Sequence, residues 1–176
     1  MLDGISEHDY LTDMALLPII VAPDRRLKVR SEPVDRVNQD LRKLMENMVE
    51  TMLAASGIGL SAIQVGIAKR VVVARAPEET HSEVSGADNS RTLYLVNPQI
   101  TWFSEEVEVC EEGCLSLPQQ YADLERPAKV RVRYLDRDGK LQEESVSGTL
   151  ARCLQHELDH LDGVLLVDHL SRVRRE

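Results

Sequence analysis

The apolar and polar positions divide the chain into two helical stretches with short alternating runs between them. In the first stretch Leu41, Leu44, Met45, Met48, Val49, Met52 and Leu53 recur at i, i+3, i+4, i+7, i+8, i+11 and i+12. That is one apolar stripe on a 3.6-residue period. Asn38 or Asp40 can cap its start, and Gly57 is placed to end it, with Gly57-Ile58-Gly59-Leu60 forming a flexible turn before Gln64. Methionines at this spacing read as core filler rather than as a cofactor box. The second stretch carries Leu150, Leu154, Leu158 and Leu161, with Gly163 as its C-terminal cap. Between the two, residues 71–74 and 93–96 read as strands, the latter stopped by Asn97-Pro98, and strands recur at 100–103 and 107–110. Over 129–135, Val130, Val132 and Tyr134 alternate with Lys129, Arg131 and Arg133; a turn at 136–140 leads to a partner strand near 141–146.

Residues 77–91 hold almost nothing apolar and predict a surface loop, with His81 solvated inside it. Strands gathered between two helices, without βαβ alternation, predict an α+β fold with mainly antiparallel sheets. Residues 1–15 read as a polar N-terminal extension and residues 16–176 as a single domain. The 176 residues suffice for one core. Aromatics are scarce, so Leu, Val, Ile and Met must fill it.

A formal charge of −9 argues against a broad nucleic-acid surface, so no DNA partner is expected. No apolar run is long enough to span a bilayer. The first cation after the acidic N-terminus is Arg25, which does not suit a secretory or transit peptide. Three cysteines make no disulfide framework and fit a reducing compartment, so the expected location is the cytoplasm.

The chemistry concentrates in Gln155-His156-Glu157-Leu158-Asp159-His160. Histidines at i and i+4 share one helix face and can bind one metal ion, with the glutamate between them as proton carrier. The plain alternative is a helix with two solvated histidines. A catalytic site of this kind needs a third protein ligand. The usual downstream positions fail: Leu166 stands where a metzincin has its third histidine, and only sixteen residues follow His160. Of the cysteines, Cys153 lies about 10 Å along the helix from His160 and reads as packing. Cys114, preceded by Gly113, is favoured over Cys110.

Three segments, Gly57 to Gln64 (GIGLSAIQ), Glu112-Gly113-Cys114-Leu115-Ser116 and His156-Glu157-Leu158-Asp159-His160, together resemble the signature motifs of peptide deformylase, in order and at familiar separations. The similarity runs from about residue 16 to about residue 170. It implies a single catalytic domain in which antiparallel sheets pack around a central C-terminal helix carrying His-Glu-x-x-His. It implies hydrolysis of the N-formyl group from formyl-methionyl N-termini of newly made polypeptides, releasing formate. Cys114, His156 and His160 would hold one divalent metal ion, Fe2+ by resemblance, with Zn2+, Ni2+ and Co2+ also suited to the donor set. The metal-bound water would be the nucleophile and Glu157 the general acid and base. The Gln64 side chain and the Leu115 backbone N–H would hold the oxyanion. Gly59 and Glu112 would position the substrate, and Leu154 would receive the methionine side chain.

Two departures from the family are visible. Ser61 stands where alanine is common, with little effect on chemistry expected. Tyr121 stands where many relatives have an arginine, which changes the contact to the peptide. Longer members carry a further C-terminal helix credited with ribosome docking. This chain stops soon after Leu170, so ribosome docking is not expected to rest on such a helix; a monomer is expected. Two rivals remain: an ordinary zinc peptidase with a third ligand other than Cys114, and a closed structural site with Cys110 as fourth ligand.

Overall fold

A computed structural model describes residues 16–77 and 90–173. The expected N-terminal extension and most of the expected 77–91 loop, His81 included, lie outside the described residues. Helix α1 runs Gln39–Ala54, capped by Asn38, whose side chain accepts from Leu41 N. A three-residue strand follows, β1 (Gly59–Ser61), then β2 (Val71–Pro77), β3 (Ser90–Phe103), β4 (Val107–Cys114), β5 (Leu117–Pro127), β6 (Lys129–Leu135) and β7 (Leu141–Ser147). Helices α2 (Gly148–Leu161) and α3 (Leu166–Val173) close the chain.

Five strands form one antiparallel sheet in the order β1-β2-β3-β6-β7, and β4 with β5 forms a separate hairpin sheet. Strand alternation explains the layering. Val71 and Val73 on β2 face α1 and pack with Met45, Met48 and Met52; Val72 and Ala74 face the other way, against Ala151, Leu154 and Leu161 of α2. The large sheet therefore lies between α1 and α2. Helix α2 also touches β5, and α3 touches β4 and β5, with Leu166 packed on Leu117 and Leu124. One helix thus bridges both sheets, which places its polar residues where the sheets meet.

Three local expectations are corrected. Asn97-Pro98 does not stop a strand. Asn97 takes φ 52°, and its side chain exchanges two 2.8 Å hydrogen bonds with the backbone of Val34, so β3 continues past it through register shifts. The first helix ends before Gly57, and Ser56 takes the left-handed turn at φ 55°. Gly57-Ile58-Gly59-Leu60 is not a flexible turn: Gly59–Ser61 is a buried strand paired with β2. Helix α3 was not expected from the sequence. Gly163 does end α2, at φ 75°, and a Cβ there would lie 2.5 Å from the Lys28 carbonyl oxygen.

Candidate metal centre

Helix α2 turns one side of its apolar stripe to the large sheet and places His156, Glu157 and His160 along the other. All three are buried. The two imidazoles meet edge to face, with ring centroids 4.8 Å apart. Cys114 ends β4 at the hairpin turn and enters from the second sheet. Its Sγ lies 3.2 Å from His160 Nε2, which lies 3.2 Å from His156 Nε2. One ligand atom from each residue falls within a 4.8 Å cluster. Bonds of about 2.1 Å to nitrogen and 2.3 Å to sulfur around a tetrahedral ion put ligand atoms about 3.4–3.6 Å apart, close to these separations. The donor set fits one ion. Cys110 is outside the trio, and the described residues supply no fourth ligand to close the site.

The ligand orientations are set from behind. Burial raises the Glu112 carboxyl, but hydrogen bonds from His156 and Arg126 outweigh it and bring it down to about 2. As a carboxylate it accepts from His156 Nδ1 at 3.1 Å, which leaves Nε2 free to face the ion. Arg126 reaches Glu112 through two bonds of 2.6 and 2.9 Å and Asp159 through a third of 2.9 Å. Asp159 meets His169 of α3 at 2.8 Å. Burial lowers both histidines' tendency to hold a proton. Contacts with Cys114, Glu112 and Glu157 nevertheless raise His156 to about 10, while its charge helps to drive His160 down to about 3.

Glu157 is not part of the trio. Burial raises its carboxyl to about 7, and its Oε2 has no hydrogen-bond partner among the described residues. Gly59 runs against it so closely that a Cβ there would lie 2.7 Å from Glu157 Oε1 and 2.5 Å from Cys153 Sγ. Gln64 follows on the short 3-10 turn after β1 and is fully buried. Its Oε1 accepts from Ser61 N and Ser61 Oγ, both at 2.9 Å, so its amide N–H group points to Ser116 Oγ at 3.2 Å and towards Cys114.

A cavity of about 520 Å³ opens beside these groups, with Gly59, Gln64, Glu112, Cys114, Leu115, His156 and Glu157 on its wall. Of the residues singled out in the sequence, His160 lies behind this wall in the metal trio, and Leu154 is misplaced. It is 0 % exposed in the core between α2 and the large sheet and does not reach the cavity. The reason is helical phase: Leu154 lies two residues from His156, on the opposite side of the helix. Cys153, Arg152 and Ile58 line the cavity instead. Sequence reasoning also missed Arg126 and Asp159. A usable signal was present, since Arg126 follows Leu124 at an inward position of its strand, where an arginine must be paired.

The family model for polypeptide deformylase matches residues 16–176. The chain belongs to that family. A peptide deformylase from Phenylobacterium zucineum is 48% identical over 163 residues, covering 93% of this chain and 92% of that protein. The crystal structure of the Ehrlichia chaffeensis peptide deformylase in complex with actinonin matches with TM-score 0.80 and 42% identity, covering 92% of each chain. A Met-Ala-Ser-bound peptide deformylase from Acinetobacter baumannii matches with TM-score 0.78 and 35% identity, covering 89% of this chain and 99% of that one. As a deformylase this chain is a metallo-hydrolase, and its α+β architecture is that of these structures. No helix among the described residues is long and apolar enough to cross a membrane.

Proposed function

We propose that this chain removes the N-formyl group from formyl-methionyl N-termini of newly made polypeptides and releases formate. The observation that carries this reading is the Cys114–His156–His160 trio beside Glu157, on a cavity that Gln64 also faces. Cys114, His156 and His160 would hold a divalent ion, which would supply Lewis-acid chemistry toward water and the formyl carbonyl. Glu157, held near neutrality by burial, accepts a proton from water and passes it to the departing amine. The pinned Gln64 amide and the Leu115 backbone N–H donate to the oxygen on which charge develops; one such donor contributes about 3–4 kcal/mol. Gly59 lets the substrate backbone approach. Glu112, on the cavity wall, acts through His156 and Arg126.

The bound ion in this reading is Fe2+, held by one thiolate and two imidazoles; Zn2+, Ni2+ and Co2+ suit the same donors. A ligand thiolate and two further free cysteines fit a reducing cytoplasm. The methionine side chain enters the cavity towards Ile58 and Cys153. The Acinetobacter baumannii relative was crystallised with Met-Ala-Ser, which has the form of a deformylated product.

The test is formate release from formyl-Met-Ala-Ser by anaerobically prepared, iron-loaded protein. Glu157→Gln is expected to retain its metal and lose at least about 10²-fold in turnover. Equal formate release by that variant would rule out Glu157 as the proton carrier.

A further inference from the structure

The β4–β5 hairpin has one covered face and one bare face. Glu112, Cys114, Ala122, Leu124 and Arg126 point inward, while Val107, Val109 and Glu111 point outward with Tyr121, Asp123 and Glu125. Cross-strand pairing arranges the outer residues in order away from the metal trio: Gly113 opposite Tyr121, Glu111 opposite Asp123, Val109 opposite Glu125. Gly113, Glu111 and Tyr121 also line the cavity, so the cavity and the bare face are one continuous surface. Tyr121 is 67% exposed, and its ring lies over Gly113, where a Cβ would come within 2.9 Å. Val109 is 63% exposed. Glu111 and Asp123 are like charges directly opposite one another, an arrangement that costs stability. No ion pair among the described residues engages Glu111, Asp123 or Glu125.

We infer that this outer face holds the downstream part of the polypeptide substrate, beyond its third residue, and favours lysine or arginine interleaved with apolar side chains there. The inference rests on the reading that the cavity takes the formyl-methionyl end. Continuity of surface names the occupant. An extended chain advances about 3.3 Å per residue, so two or three residues carry it from the metal ligands to Tyr121, and the face beyond has length for about four to six more. Charge names the chemistry. The α2 wall presents Arg152, the one lysine or arginine among the described residues that line the cavity, whereas the hairpin wall presents unpaired carboxylates beside apolar rungs. Apolar substrate residues would cover Tyr121 and Val109, and cations would relieve the Glu111–Asp123 repulsion.

The experiment compares formyl-Met-Ala-Ser with the same peptide extended by Lys-Leu-Lys-Leu or by Glu-Leu-Glu-Leu. The basic extension should give about three- to tenfold higher kcat/KM than the acidic one, through KM, with the gap narrowing at high salt. Asp123→Asn combined with Glu125→Gln should leave the tripeptide rate unchanged and remove most of the gap. Asp35→Asn combined with Glu50→Gln, the same charge change outside the hairpin, should leave the gap intact. Normal tripeptide turnover with no difference between extensions overturns the inference, as does equal loss of the gap in both double variants. No turnover of the tripeptide would instead overturn the deformylase reading beneath it.

Discussion

Gln64 owes its orientation to Ser61, a residue whose departure from the family's common alanine was expected to matter little. The serine contributes two donors to Gln64 Oε1, its backbone N–H and its hydroxyl. An alanine would keep only the first. A net hydrogen bond is worth about 0.5–1.5 kcal/mol, so Ser61→Ala should lower kcat about two- to tenfold at unchanged KM, with Ser61→Thr restoring it, both measured by formate release. Gly59 is a stricter case. Its missing Cβ leaves room for Glu157 and Cys153, and Gly59→Ala must displace one of them. The expected result is a loss of about 10²-fold in kcat/KM with metal content unchanged; a loss of metal instead would mean that the histidines had moved. The identities of the ligands were legible in the sequence because each is a distinctive residue in a short motif. The hydrogen bonds that aim them were not, because Ser61 and Arg126 look like ordinary polar residues until their partners are placed.

At the scale of the element, α2 has to satisfy two neighbours. One side is the floor of the core and the other is the metal site, and Leu154 belongs to the first. Leu154→Ala should cost about 2–5 kcal/mol by urea unfolding and leave KM for formyl-Met-Ala-Ser unchanged. A large rise in KM with little loss of stability would return Leu154 to the substrate pocket. Arg126 on β5 ties Glu112 of β4 to Asp159 of α2, and Asp159 to α3 through His169. Arg126→Met leaves a buried carboxylate without its main partner. It should destabilise by about 3–5 kcal/mol and weaken metal retention about 10- to 100-fold, read by metal analysis after dialysis.

At the scale of the whole molecule, the ion joins a helix to a separate hairpin, so its removal should be felt globally. Chelation should lower the melting temperature by about 10 °C if the ion is normally present at about a thousandfold over its Kd, as calorimetry can show. Away from the site, burial and the bond its hydroxyl donates to Glu144 hold the Tyr134 pKa well above the usual 10. The folded state keeps that proton after the unfolded chain has released it. Stability from this group is therefore whole below pH 10 and falls as the pH rises from 10 towards the raised value. Urea midpoints should decline over that range, and less steeply in Tyr134→Phe. The sequence by itself determined what depends on near neighbours. The spacing of His156 and His160 follows from the helical repeat, the core stripe of α1 from its apolar period, and the hairpin β6–β7 from alternation around a turn. Only the tertiary structure showed how Cys114, 42 residues upstream of His156, reaches the histidines, and that Gln64 arrives beside it. It also decided that Leu154 turned to the core while the bare side of the hairpin ran out from the cavity. These depend on how two sheets close on one helix, and packing between distant segments is not encoded in any local period.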